Sequence, residues 1–352
     1  MLNKINKLSW IINSACNLRC IHCYPNSGVE TRQKFSSKQF GQLRANLNGM
    51  HFSRTFLSGG EPVLDKNFFK YLEIANDISD EVYICSNGTT LSDSVLDELV
   101  RLGVKGIVLS YQANDAETAY IIYGNSLVPQ MVLETIRRIQ KYDIVLGVET
   151  TLLRQNISSI DDLIKTLIAH DVKFISFKRL LPIGRGQSEE VSISKEENYE
   201  MLARIADWQI SHKEIRFHVH DPLYGTIWYD KYSNLVENKN FFRWLKGFSC
   251  RAGTRWIGID PFGNVSPCPL LLYRNTIIGN VLKVPLKELL EKSSLIRLLQ
   301  NVEKGQSKNC KYGSVCLGCR ATAITKNNSI SAKDPMCVYA NMACPIVGSK
   351  ED

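Results

Sequence analysis

Eleven cysteines are the strongest chemical signal in this 352-residue chain, and their spacing says what they could do. Cys16, Cys20 and Cys23 fall in NSACNLRCIHCYP, Asn13 to Pro25, as Cys-x3-Cys-x2-Cys. Thiolates are soft ligands, and three of them on one short loop can hold three irons of a cubane while the fourth iron keeps no protein ligand. That iron is open for chemistry. A structural zinc ion asks instead for four closed ligands, and His22 is the only further donor within the loop. Cys250, Cys268, Cys310, Cys316, Cys319, Cys337 and Cys344 crowd the other end of the chain, so two separate metal regions are expected. Cys85 stands alone on an apolar run and reads as a small core residue.

These loops need elements to hold them. β-rich runs such as RTFL after Ser53, EVYICS at 81–86, GIVLSY at 106–111, IVLGVETTL at 144–152 and FISFK ending at Lys178 alternate with helical patterns. That alternation predicts parallel βαβ units, whose functional groups gather at the carboxyl ends of the strands. One helix is sharply marked by Ser92 as N-cap, Val95, Leu96, Leu99 and Val100 on one face, and Gly103 as terminator. The alternation stops near Asp221, where Tyr224, Trp228, Tyr229, Tyr232, Phe241, Phe242, Trp244 and Phe248 predict a small aromatic core or a substrate wall. Beyond it, TRWIGIDPFGNVSPC predicts a hairpin turning at Asp260 to Asn264, then a helix over about 285–299 and a cysteine-rich end.

The overall balance narrows the class of protein. With 44% hydrophobic and 22% charged residues the chain can bury a full core, which excludes disorder and small disulfide scaffolds. Its net charge of +8 is spread without a basic run, so no nucleic acid partner is expected, although acidic substrates are favoured. No apolar run has the length of a membrane span. The start lacks a secretory cleavage pattern, and the chain is expected in the cytoplasm, where an odd number of cysteines favours metal ligation over disulfides.

The first loop resembles that of the radical SAM superfamily, whose members carry this triad after the first strand of a partial (β/α)6, TIM-like barrel. The resemblance implies that Cys16, Cys20 and Cys23 hold a [4Fe-4S] cluster that reduces S-adenosylmethionine (SAM) to methionine and a 5′-deoxyadenosyl radical. Ser58, Gly59, Gly60, Glu61 and Pro62, SGGEP after the second strand, resemble the family's motif for the SAM amino group, glycine allowing close backbone approach. Ser86 and Asn87 in CSNGTTL match the segment near the SAM ribose. Ser110 and Thr150 stand where relatives hold SAM's carboxylate or ribose, and His22 where relatives stack a ring on the adenine. Many relatives have Ser-x-Asp-Gly at the fourth strand end; Ser110-Tyr111-Gln112-Ala113 lacks that Asp.

The later cysteines, with CLGCRATA and DPMC, resemble a SPASM domain, which binds up to two auxiliary four-iron clusters. The resemblance implies that Cys250, Cys268 and Cys319 serve the nearer cluster and Cys310, Cys316 and Cys337 the farther one, with Cys344 completing either. Many members have a further cysteine where Ser307 stands, so seven thiols face eight positions and one or two auxiliary clusters are expected. The domains are expected at 1–220 for the barrel, 221–248 for a bridge and 249–352 for the SPASM region. After the sixth strand, KRLLPIGRGQ offers Lys178, Arg179 and Arg185 as hooks for substrate or SAM carboxylates, and HVH puts His218 and His220 on one side of a strand.

The function expected is a radical SAM and SPASM enzyme that modifies a ribosomally made peptide by hydrogen abstraction. A flavodoxin or ferredoxin would reduce it, and a separate peptide-recognition protein is a possible partner. The alternatives are a tetrapyrrole maturase removing propionate carboxyls, favoured by the PIGRG segment and the basic balance, and a non-catalytic iron–sulfur carrier or zinc-binding module.

Overall fold

A computed structural model describes residues 5–28, 35–235, 237–272, 276–304 and 310–339. Seven strands, β1 (Lys7–Ile11), β2 (Phe52–Ser58), β3 (Ser79–Ser86), β4 (Gly106–Ser110), β5 (Val145–Leu152), β6 (Phe174–Arg179) and β7 (Arg216–His220), pair in sequence order, all parallel. Helices α1 (Ser37–Leu47), α2 (Phe68–Asp77), α3 (Asp93–Arg101), α4 (Ala116–Tyr123), α5 (Val128–Ile139), α6 (Ile160–Ala169) and α7 (Lys195–Ser211) connect them. β7 is left as one edge of the sheet, so it is an unclosed barrel of the expected α/β kind.

Alternation along each strand makes two faces. Leu8, Trp10, Leu57, Val82, Ile84, Leu109, Val148, Ile175 and Phe177 are buried in the main core. The alternate positions line the concave face and are only half-buried: Phe56, Tyr83, Cys85, Val108, Glu149, Lys178, His220. Cys85 is thus not a core residue, as its apolar run suggested. It shares its face with Glu81 and Tyr83, and it feels the charges of Glu149 and Lys178.

α3 ends as its sequence predicts, with the Ser92 hydroxyl accepting from Val95 N and Gly103 at φ +74°. The aromatic stretch forms α8 (Tyr224–Lys231) and α9 (Lys239–Leu245), where Trp228 meets Trp244 edge-on at 4.9 Å and Tyr224 meets Phe248 at 5.0 Å. Tyr224 and Trp228 are buried, as a core requires.

The predicted hairpin is β8 (Trp256–Ile259) and β9 (Asn264–Ser266), turned by Asp260, whose carboxylate accepts from Phe262 N and Asn264 N. β8 pairs in parallel with β1, and β10 (Gly279–Asn280) extends the far edge. One sheet therefore runs across the expected boundary at 249. The helix expected over 285–299 is two, α10 (Leu286–Lys292) and α11 (Ser294–Lys304), because extended Ser293 breaks the run and its hydroxyl accepts from Ile296 N. α12 (Arg320–Asn327) starts directly after Cys319. No helix among the described residues is long and apolar enough to cross a membrane.

One buried ion cluster ties the barrel to the C-terminal region. The Arg179 guanidinium donates to both oxygens of Asp221 and, through Nη1, to Asp334 at 2.7 and 2.9 Å. Asp221 also accepts from Asn198 and Leu223 N, and Asp334 from Cys319 N and Met336 N. Removing one member of a satisfied buried cluster leaves uncompensated charge. Arg179→Met should therefore lower stability by about 3–5 kcal/mol in urea unfolding. The exposed Arg101–Glu98 pair is the control, and Arg101→Met should change little.

Candidate active site

The cysteine loop leaves β1 and is closed on itself by Cys16 N to Gly28 O at 2.7 Å and Gly28 N to Ser14 O at 3.0 Å. Amide donors already point at its sulfurs: Leu18 N to Cys16 Sγ and Ser27 N to Cys23 Sγ, both 3.4 Å, and Asn87 Nδ2 to Cys16 Sγ at 3.7 Å. Such bonds stabilise thiolate and tune a cluster's potential. Burial and the neighbouring thiols push Cys20 up to about 12, and burial raises Cys16, so both favour the neutral thiol until a metal displaces the proton.

The SGGEP segment packs directly on this loop. A Cβ at Gly59 would stand 2.1 Å from Asn13 Oδ1, and one at Gly60 2.1 Å from the Ala15 carbonyl oxygen. Gly60 N donates to Asn13 O and Oδ1, Glu61 N donates to Ala15 O, and Asn13 Nδ2 donates back to Glu61 O. What the glycines let approach is therefore the cysteine loop itself. Ser58 ends β2, its carbonyl accepting from Ile12 N, and buried Pro62 begins a short 3-10 turn.

Glu61 is fully buried and joins this segment to the end of β3. Its carboxylate accepts from Ser86 Oγ and Asn87 N, each at 2.8 Å. Asn87 in turn donates to Asn17 Oδ1, and Asn17 donates to Thr89. The Ser86 hydroxyl and the Glu61 carboxylate, expected on SAM, are thus engaged with each other. Thr150 is corrected in the same way: it is buried on the core side of β5 and donates to the Tyr111 carbonyl at 2.6 Å. Ser110 ends β4 half-buried in register with Glu149, on the concave face.

Arg185, offered as a carboxylate hook, instead grips the loop. It donates to the carbonyls of Cys20 and Ser27 at 2.8 Å and to Asn26 Oδ1 at 2.9 Å. Gly184 adopts φ +58° and lies so near that a Cβ would meet the Cys23 and Tyr24 carbonyl oxygens at 2.5 Å. His22 keeps Nδ1 shut off from solvent with no partner among the described residues, and burial, Arg185 and Lys178 lower its ring to about 4. Arg179 is no hook either, being held between two aspartates.

On the concave face Glu149, which the sequence did not single out, joins Lys178 and His220 in a polar group. Lys178 Nζ lies 2.5 Å from Glu149 Oε1, and His220 Nε2 lies 3.8 Å from Glu149 Oε2. Phe56 stacks between Tyr83 and Trp256, and His220 meets His218 and Trp256 edge-on. Burial lowers His218 to about 4 and His220 well below its usual value, so both rings are neutral.

In the C-terminal region Cys268 feels Cys250 and Cys319, and Cys337 feels Cys310. Gly318 N donates to Cys316 Sγ at 3.3 Å. Cys268 and Cys319 pack on a small apolar cluster of Leu181, Ile183, Leu271 and Ala321 that also takes Tyr24 of the first loop. Cys344 lies outside the described residues, as does Ser307. Among the described residues no three His, Cys, Asp or Glu side chains converge as ligands of a single metal ion do. A multi-iron cluster instead takes thiols spread over separate corners, and the sulfurs with their amide donors fit that group.

The sequence profile of the radical SAM superfamily matches residues 10–167, and that of the SPASM iron–sulfur cluster-binding domain matches 250–320. The chain is thus an enzyme that carries a radical SAM region over 10–167 and a SPASM iron–sulfur cluster-binding region over 250–320. An AdoMet-dependent heme synthase of Methanosarcina barkeri is 28% identical, covering 96% of this chain and 98% of that protein. The mycofactocin maturase MftC of Mycolicibacterium smegmatis is 24% identical, covering 94% and 82%. The structure of Streptococcus suis SuiB bound to precursor peptide SuiA superposes with a TM-score of 0.75 at 16% identity, covering 95% and 76%.

Two predictions follow from the loop packing. Gly60→Ala drives a methyl group into the Ala15 carbonyl, so N-terminal cluster iron should be lost while C-terminal iron stays, read by iron analysis of the reconstituted protein. Burial pushes the Glu61 carboxyl up to about 7 from a usual 4.5. The folded state thus holds its proton more tightly than the unfolded state does, and this carboxyl's contribution to stability falls as pH rises from about 4.5 to about 7. Glu61→Gln should remove that part of the pH slope in unfolding of the metal-free protein, with the two curves parallel outside the window.

Proposed function

We propose that Cys16, Cys20 and Cys23 hold the cluster that binds and reduces SAM, and that the radical so made abstracts hydrogen from a ribosomally made peptide lying over the concave face. A bound cluster supplies the electron that splits the sulfonium. The chain's own residues do the rest. Arg185, Glu61 and the two glycines fix the loop, and the barrel wall keeps the reacting groups away from bulk water. His22 and Ser110 remain candidates for SAM contacts, His22 because its buried Nδ1 lacks a partner among the described residues.

The observation that carries the peptide reading is what has become of the basic segment after β6. A substrate with several propionates calls for free cations, yet Arg179 and Arg185 are matched within the protein and Lys178 is paired with Glu149. SuiB, which has a similar fold, is bound to a precursor peptide, SuiA. One observation favours tetrapyrrole decarboxylation as a second reading: the heme synthase relative matches over almost its whole length. For the auxiliary site we assign Cys250, Cys268 and Cys319 to one cluster and Cys310 and Cys337 to another, the groupings that their mutual charges support, and Cys316 to the second by its resemblance to the SPASM pattern.

Cys16, Cys20 and Cys23 changed together to Ala should abolish 5′-deoxyadenosine formation from SAM under reductant while C-terminal iron remains; retained cleavage would count decisively against the assignment. For the substrate, the reconstituted enzyme is given a precursor peptide encoded beside it or a propionate-bearing iron tetrapyrrole. Peptide loss of hydrogen supports the first reading, and carbon dioxide release from the tetrapyrrole overturns it in favour of the second.

A further inference from the structure

Arg320 opens α12 directly after Cys319, and its side chain is only 1% exposed. Its Nη1 donates to the carbonyls of Ile330 and Ala332, both at 2.8 Å. Among the described residues its Nε and Nη2 have no partner, although both are shut off from solvent. A buried cationic donor without an acceptor is strongly unfavourable, so a partner belongs there.

The surroundings say which kind. A Cβ on Gly318 would stand 2.8 Å from Nη2, so this nitrogen lies against the turn between Cys316 and Cys319. Gly318 adopts φ +60°, and its own N–H is already aimed at Cys316 Sγ. The carboxylate beside this turn, Asp334, is occupied by Arg179, Cys319 N and Met336 N. A diffusing substrate does not reach a side chain this deeply enclosed.

We infer that the free Nε–H and Nη2–H of Arg320 donate to sulfur of the auxiliary iron–sulfur cluster that Cys316 helps to hold, and that this guanidinium raises that cluster's reduction potential. The inference rests on the ligand grouping proposed above. A thiolate-ligated cluster is anionic and gains one more negative charge on reduction, which a buried cation bonded to its sulfur stabilises. The N-terminal loop differs. Its sulfurs accept from neutral amides of Leu18, Ser27 and Asn87, so removing Arg320 leaves the first cluster's potential where it is.

The test is a redox titration of the full chain, reconstituted with iron and sulfide under anaerobic conditions and followed by electron paramagnetic resonance. Arg320→Gln should retain its iron and move the midpoint of one auxiliary signal to lower potential, with Arg320→Lys in between and the N-terminal signal unmoved. An auxiliary midpoint unchanged at full iron content overturns the inference. If Arg320→Gln loses C-terminal iron while its metal-free form unfolds like the parent, the contact to the cluster is supported. If the metal-free form itself is markedly less stable, the side chain serves the fold through Ile330 and Ala332 and the inference fails. Cys316→Ala that keeps every auxiliary signal would instead sink the ligand grouping.

Discussion

The backbone-to-backbone contact between the SGGE segment and the cysteine loop is the constraint on which the active centre depends. Two residues without side chains let the loops after β1 and β2 close to hydrogen-bond distance, and Glu61 N then meets the Ala15 carbonyl directly. The Glu61 carboxylate passes the same constraint on to the end of β3 through Ser86 and Asn87, and Asn87 returns it to Cys16. Three consecutive strand ends thus become one hydrogen-bonded unit around the thiols. From the opposite side Arg185 binds three acceptors on the same loop. The loop is held from two directions, by glycines that permit contact and by a cation that enforces it.

Much of this was legible before any coordinates. The strand–helix alternation, the α3 cap and terminator, the Asp260 turn and the two cysteine regions all rest on local patterns, and local patterns survive folding. The failures share a cause. Thr150, Arg179 and Arg185 were read by chemical type, as groups able to meet a ligand, whereas their partners come from segments far away in sequence: Tyr111 for Thr150, Asp334 for Arg179, Cys20 for Arg185. Cys85 was misread because its flanking residues are apolar, while the period of two in β3 turns it to the concave face beside Glu149 and Lys178. The Asn13 clamp had a weak signal, a polar side chain between the first strand and the first thiol. Arg320 had none, because only packing reveals that two of its donors lack a partner among the described residues.

The charge pattern also changes meaning once folded. The positive balance suggested a mild field favouring acidic substrates, yet the cations after β6 act inward. Arg179 bonds the barrel to the C-terminal region, Arg185 bonds the barrel to the cysteine loop, and Lys178 pairs with Glu149 of the neighbouring strand. Net charge describes the surface field, and it says little about which side chains are free to meet a ligand.

The parallel pairing of β8 with β1 has a mechanical corollary. Strand β1 leads straight into the first thiol loop, and β8 and β9 lead into Cys268, so both redox regions are rooted in neighbouring members of one hydrogen-bonded lattice. Modules joined by a flexible tether wander, and any charge hopping between them waits on diffusion. Here the spacing is set by a stiff frame, so traffic of electrons across the molecule would be governed by fixed distance and driving force, and solvent viscosity should matter only for the arrival of outside partners.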